Sequence, residues 1–183
     1  DDDYSGTDWQ GDFEARYPKD YADPANLSEL AAWLKSTDQS AATGDKLTVN
    51  RTFDGMLYTT DTAAYRLAKF KSEFAQHFEK DAVLFYYLFT ELYLMVDSRA
   101  KNMFPTFMAG SKWFSLPYDF DTAIGINNEG ALVFSYNLED IDHTESGADI
   151  YNGQQSVLWV NVRQAFYEDI KAMYQKLRSG GTL

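Results

Sequence analysis

A chain of 183 residues with 45% hydrophobic and 24% charged content can bury a sizeable core and is not a disordered tail. Its formal net charge of −12 repels phosphate backbones and anionic lipid, so no nucleic-acid partner is expected, whereas cations are welcome. The absence of cysteine excludes disulfides and thiolate metal sites and leaves the compartment open.

The acidic opening Asp1-Asp-Asp3-Tyr-Ser5-Gly6, with Asp12 further on, has the oxygen-ligand spacing of a Ca²⁺ loop, with Asp1, Asp3, Ser5 and Asp12 as candidate ligands. A solvated acidic terminus is the plainer reading. The same opening reads as the interior of a longer protein or as a mature product. Residues 13–17 alternate Phe13, Ala15 and Tyr17 with Glu14 and Arg16, which predicts a short strand stopped by Pro18. Residues 26–35 predict a helix with Leu27, Leu30, Ala31 and Leu34 on one face and Trp33 beside it. After a loop over 36–45, Asp54-Gly55 between alternating segments is a hairpin signal.

Asp61 is the expected N-cap of a helix to about residue 78, whose stripe Ala63, Leu67, Phe70, Phe74 and Phe78 repeats at steps of three and four. Asp81 is expected to cap a second helix over 82–96, apolar nearly all round. Its aromatic row Phe85, Tyr86, Tyr87, Phe89 and Tyr93 reads as core. That run is interrupted by Thr90 and Glu91 and falls short of the roughly 20 residues a membrane span needs, so no membrane span is expected. Strands are predicted near 112–118 and 131–136, followed by an acidic loop over 139–153. A last helix begins at about Ser156, with Leu158, Val162, Phe166, Ile170, Met173 and Leu177 inward and Gly180-Gly181 ending it. The pattern is α+β: a mainly helical core with a few short antiparallel strands and hairpins. It reads as one domain over 1–183, with 1–60 partial and strand-bearing and 61–183 the helical core.

The chemistry concentrates after the apolar helix. Asp97-Ser-Arg-Ala-Lys-Asn102 places an Asp and an Asn five apart, and Asp119-Phe120-Asp121 follows a strand-like run. A phosphoryl-transfer site of the kinase type needs that order. One carboxylate orients the attacking hydroxyl, and an Asn and a second Asp hold Mg²⁺ on the nucleotide phosphates. Arg99, two residues after Asp97, is a candidate to neutralise the transferring group. The plainer reading makes Asp97 a cap and Asn102 a loop brace. Two His and no Cys give little support to a zinc site or a Ser-His-Asp triad. The acidic stretch with Glu139, Asp140, Asp142, His143, Glu145 and Asp149 reads as a solvated loop rather than a metal site.

Val96-Asp97-Ser-Arg-Ala-Lys-Asn102, followed by Lys112-Trp113 and Leu116-Pro-Tyr-Asp119-Phe-Asp121-Thr-Ala-Ile-Gly125, resembles the core of the CotH family of atypical, kinase-like proteins. The resemblance is clearest over residues 61–126 and implies a kinase-like fold. It implies Asp97 as catalytic Asp, Asn102 as metal ligand, and Asp119 or Asp121 as principal Mg²⁺ ligand, Asp121 being favoured because a small-residue turn follows it. The implied cofactors are Mg²⁺ and ATP, and the implied partners are a nucleotide and a protein acceptor. No Gly-rich phosphate loop is present. Arg16 is the nearest candidate for the cation that grips nucleotide phosphates, with Glu29 or Glu73 as its helix carboxylate. Two functions follow as expectations. One is Mg-ATP-dependent phosphoryl transfer to a protein hydroxyl. The other is a non-catalytic module that packs against neighbouring subunits in a large bacterial surface or bacteriophage virion protein. The compartment is left open, with a bacterial surface, extracellular or virion location favoured over the cytoplasm.

Overall fold

The computed structural model describes residues 13–19, 23–95, 98–99, 102–108, 112–126, 130–131 and 156–180. Among them are four α-helices and two small two-stranded antiparallel sheets, a mixed α+β fold. The chain divides into two compact units, Asp1–Phe70 and Lys71–Leu183.

In the first unit, α1 (Ala25–Ser36) starts where the Asp23 carboxylate accepts the Ala25 N–H at 2.9 Å. Leu30 and Trp33 are its buried residues, so the inward face is centred one position further round than the leucine spacing predicts. The Ser36 and Thr37 hydroxyls each donate at 2.7 Å to the carbonyl three residues back, and these bonds occupy two of the carbonyls left over at the helix end. A 3-10 turn, Gln39–Ala41, follows.

The strands β1 (Gly44–Phe53) and β2 (Met56–Asp61) form the expected hairpin, closing on Asp54 and Gly55 with φ of 49° and 78°. Both turn residues must adopt positive φ for the ribbon to keep its right-handed twist, and Asp-Gly is a pair that can. The register slips between Gly44 and Arg51, where Asn50 also has positive φ. Most of β1 is exposed; its anchor is Phe53, which meets Tyr58 and Tyr65 at ring separations of 6.1 and 5.9 Å.

Helix α2 (Ala63–His77) corrects the expected cap. Asp61 is the last residue of β2 and is buried, while Thr62 sits at the cap and its hydroxyl accepts the Tyr65 N–H at 3.1 Å. Thr62→Ala is expected to lower stability by about 1 kcal/mol in a urea melt, the ordinary cost of losing such a cap. Asp61 instead holds a cluster. Its oxygens accept Arg66 Nε and Nη2, both at 2.7 Å, and the Thr43 N–H and hydroxyl at 3.1 and 2.9 Å. Arg66 Nη1 also donates to the Asp38 carbonyl at 3.0 Å. Trp33 stacks on Phe70 at 5.3 Å, and Lys69 donates to Ser36 Oγ at 2.7 Å. Residues 13–17, predicted as a strand, belong to neither of the described sheets; the bend at Tyr17-Pro18 ends that segment.

In the second unit, Phe74 and Phe78 continue the stripe of α2 and are buried. Phe78 lies just past the helix in an isolated bridge to Trp113, with Trp113 N–H donating to His77 O at 2.8 Å and Glu79 N–H to Trp113 O at 2.9 Å. Helix α3 (Lys80–Leu92) starts after Glu79 and places Asp81 in its first turn, where a negative charge suits the helix dipole. It ends four residues before the predicted limit, because Leu94 turns left-handed at φ 45°. Its inward residues include Val83, Leu84, Tyr86, Tyr87, Leu88 and Thr90, but Phe85 and Tyr93 are exposed, so the aromatic row is core only in its middle. β3 (Met103–Thr106) pairs antiparallel with β4 (Phe114–Pro117). The other strand predicted after α3, near 131–136, lies almost wholly outside the described residues. Helix α4 (Val157–Ser179) packs on α3, where Trp159 meets the Tyr86 and Tyr87 rings; Trp159, Val162, Phe166 and Ile170, at steps of three and four, are buried, and the helix kinks at Phe166. None of the described helices is long and apolar enough to cross a membrane.

Candidate functional site

The α3 C-terminus, the segment after it and the β3–β4 ribbon all belong to the second unit. Two backbone ties join described residues of these segments, Tyr93 and Leu94 to Ile124 and Gly125, and Asn102 to Tyr118. At one end, Ile124 N–H and Gly125 N–H donate to the Tyr93 and Leu94 carbonyls at 2.6 and 3.0 Å. At the other, Tyr118 N–H donates to the Asn102 carbonyl at 3.2 Å. The second tie extends the ribbon by one step, since Met103 pairs with Pro117. Asn102 therefore leaves one strand where Asp119 leaves the other.

The turn between the ties is built for sharp reversal. Asp119 has φ 58°, and its Oδ1 accepts the Asp121 N–H at 3.3 Å, a local side-chain turn that only Asp, Asn, Ser or Thr can make. Ile124 and Gly125 also have positive φ, and the glycine adopts it without strain. Asp119, Phe120 and Asp121 are exposed, Asn102 is half-buried, and Thr122 is buried. The Thr122 and Ser98 hydroxyls are buried without a hydrogen-bond partner among the described residues, and each directly follows a candidate acid in the chain.

Arg99 sits inside the protein. It is 1% exposed, ion-paired to Glu91 of α3, and lies over the Tyr87 ring at 4.3 Å from guanidinium carbon to centroid. Burial pulls its pKa below the ordinary arginine value, and the nearby carboxylate and ring offset the cost of holding the charge there. The loop backbone is held from both sides. The Tyr86 hydroxyl donates to the Ser98 carbonyl, and Trp159 Nε1 donates to the Arg99 carbonyl at 2.7 Å. Burial pushes the Tyr86 hydroxyl well above its usual pKa, so it stays a donor.

Asp97 and Lys101 lie outside the described residues, as do Asp1, Asp3, Ser5 and Asp12 and the acidic positions 139–149. Arg16 belongs to the first unit, is half-exposed, lies outside any strand and pairs with Glu14 at 3.2 Å. Glu29 is exposed on α1.

Among the described residues, no group of three or more His, Cys, Asp or Glu side chains is placed to hold a metal ion. Mg²⁺ that travels with a nucleotide needs fewer protein ligands, because phosphates and waters complete its shell. Asn102 and Asp121 supply hard oxygen donors of the type it takes. Sequence reasoning missed Glu91, Tyr86 and Trp159. The signal for the first was present: a lone Glu in an apolar helix demands a cation, and Arg99 is eight residues on. Nothing in the pattern marked the two aromatic donors.

Comparison with protein-family models, curated proteins and solved structures finds no match to this chain.

Proposed function

We propose that this chain is a CotH-like, kinase-type phosphotransferase domain that moves the terminal phosphoryl group of Mg-ATP to a protein hydroxyl. The observation that supports this reading is the pair of backbone ties, Leu94 to Gly125 and Asn102 to Tyr118, whose partners flank Asp97 in the sequence on one side and the Asp119–Asp121 turn on the other. In a phosphoryl-transfer site the acceptor-orienting acid, the loop Asn and the strand-end Asp act on one group, and ties between the segments that carry them are compatible with that.

In this mechanism Asp97 accepts the proton of the acceptor hydroxyl as that oxygen bonds to phosphorus and the bond to the leaving diphosphate breaks. Asn102 and Asp121 would hold the metal, which when bound neutralises phosphate charge. Asp121 suits this better than Asp119, whose carboxylate is already engaged by the Asp121 N–H. Arg99 is not available to the phosphates from where it lies; the charge it meets is that of Glu91.

A second reading, a non-catalytic module of a surface or virion assembly, is favoured by that same burial of Arg99 and by the local engagement of Asp119. Thermal melts with Mg²⁺ and ATP separate the two. At a hundredfold excess over the dissociation constant, binding to the native state adds about 2.7 kcal/mol and the midpoint rises. The expected rise is abolished by Asp121→Ala. Asp97→Ala keeps the rise but loses transfer of labelled phosphate to a protein acceptor. If the wild-type midpoint does not move, the catalytic reading fails and the assembly module stands.

A further inference from the structure

We propose that the outer side of α3, together with Phe120, is a docking surface for a cationic segment of a partner protein, one that sets apolar side chains among lysines or arginines. The inference goes beyond the phosphotransferase reading and needs no transfer of phosphate. Phe85, Phe89 and Leu92 of α3, with Tyr93 at its end, follow one another at steps of four, three and one, so they share one side of the helix. That spacing belongs to a stripe that faces a core. Here Phe85 is 48% exposed, Leu92 39% and Tyr93 44%, while Val83, Leu84, Tyr87 and Thr90, on the other side, are buried. A helix apolar on both sides is ordinarily covered on both.

The surface is continuous. The Phe89 ring lies 6.2 Å from that of Phe85, 4.8 Å from that of Tyr93 and 6.3 Å, edge-on, from that of Phe120. Phe120 is itself 51% exposed. Three rings about half exposed leave apolar surface on the order of 300 Å² in one place, the range in which the largest patch of a monomer is commonly functional. Charge selects the partner. Exposed Asp81 stands one turn before Phe85 on the same side of α3, and exposed Asp119 and Asp121 flank Phe120 in the chain. Lys80, next to Asp81, is paired with Asp169 of α4 and lies over the Phe166 ring. With a net charge of −12, a second copy of the chain is repelled, as is an anionic segment. A lysine or arginine gains twice, from the carboxylates and from the faces of the rings.

The test follows the fluorescence anisotropy of two labelled amphipathic peptides on the whole chain, one of leucine and lysine, the other of leucine and glutamate. The lysine peptide is expected to bind at least about tenfold more tightly, with the difference shrinking as salt rises. Phe85→Ser and Phe120→Ser lie on separate elements, and each is expected to weaken its binding by about tenfold. Asp81→Asn is expected to weaken it by about threefold, and Asp45→Asn, an exposed acid of the first unit, to leave it unchanged. Urea midpoints near that of wild type show that the serine variants remain folded. Equal binding of the lysine peptide by wild type and both serine variants overturns the proposal, because net charge alone then holds the peptide. So does equal binding of the two peptides, or binding of neither. A dimer in sedimentation that Phe85→Ser dissociates overturns it as well, since a second copy then occupies the surface.

Discussion

Asp61→Asn is expected to destabilise the protein by about 3–5 kcal/mol, measured as the shift of a urea unfolding curve of unchanged slope. The substitution keeps the shape of the side chain and removes the charge that four donors converge on. Asp61 is 1% exposed, and the Arg66 side chain is largely covered. Arg66 would keep its bonds to backbone carbonyls and the more distant Asp38 charge but would lose the carboxylate it is bonded to. The Thr43 N–H and hydroxyl, both donors to the same oxygen, would face an amide that offers one acceptor instead of two. Replacing both members, as in Asp61→Leu with Arg66→Met, is expected to cost less than the single change, because no charge is left unpaired. A loss below about 1 kcal/mol in Asp61→Asn would mean that the pair behaves as a surface pair, contrary to its burial.

The same cluster sets an acid dependence. The Arg66 guanidinium and the Thr43 donors hold the Asp61 carboxyl well below the usual carboxylate range, against the opposing effect of burial. The unfolded chain, with an ordinary value of about 3.9, therefore binds a proton at higher pH than the folded protein does. The stabilisation is fully present above about pH 4 to 5 and is lost progressively as pH falls below it, toward the depressed folded value. Wild type should lose stability steeply on acidification. Asp61→Asn should show a shallower loss over the same window, because its share of that stabilisation is absent at every pH.

Much of the scaffold was legible because it rests on local patterns. The α2 stripe repeats aromatic residues at the helical period, and Phe70, Phe74 and Phe78 are buried accordingly. Asp54-Gly55 specified its turn because few residue pairs accept two consecutive positive φ values. The misplacements share a cause, which is that distant partners decided them. Asp61 and Thr62 are both good caps by type. What chose between them was Thr43, 18 positions back in the chain. β3 was hidden because Pro105 argues against a strand; in a two-stranded ribbon its missing N–H can face away from the partner. The end of α3 was hidden because Leu94 is a poor candidate for a left-handed conformation, and the backbone bonds from Ile124 and Gly125 to Tyr93 and Leu94 accompany it there. In the site, the order of acids was readable, whereas the ties that bracket them involve backbone atoms, which carry no residue signature.

Phe74→Ala is the other change with a large expected effect, a loss of about 3–5 kcal/mol. Phe74 is fully buried, with the rings of Phe78 and Phe166 each 4.9 Å away, one stacked and one tilted. Truncation removes the hub of that triplet and leaves a cavity that Phe78 and Phe166 can fill only by moving. Lys80, over Phe166 at 4.6 Å and paired with Asp169 at 3.1 Å, is half-exposed and contributes little to offset the loss. The consequence reaches the candidate site through the backbone. Phe78 bridges to Trp113, whose N–H and carbonyl are held by His77 and Glu79, and Trp113 leads directly into β4 and so to Asp119. Amide exchange at Glu79 and Trp113 is therefore expected to accelerate in Phe74→Ala by more than the global loss of stability accounts for. Phe74→Leu retains part of the volume and should do so less. If both amides exchange in step with global unfolding, the aromatic triplet supports the fold as a whole and does not specifically anchor the strand that presents the Asp119–Asp121 turn.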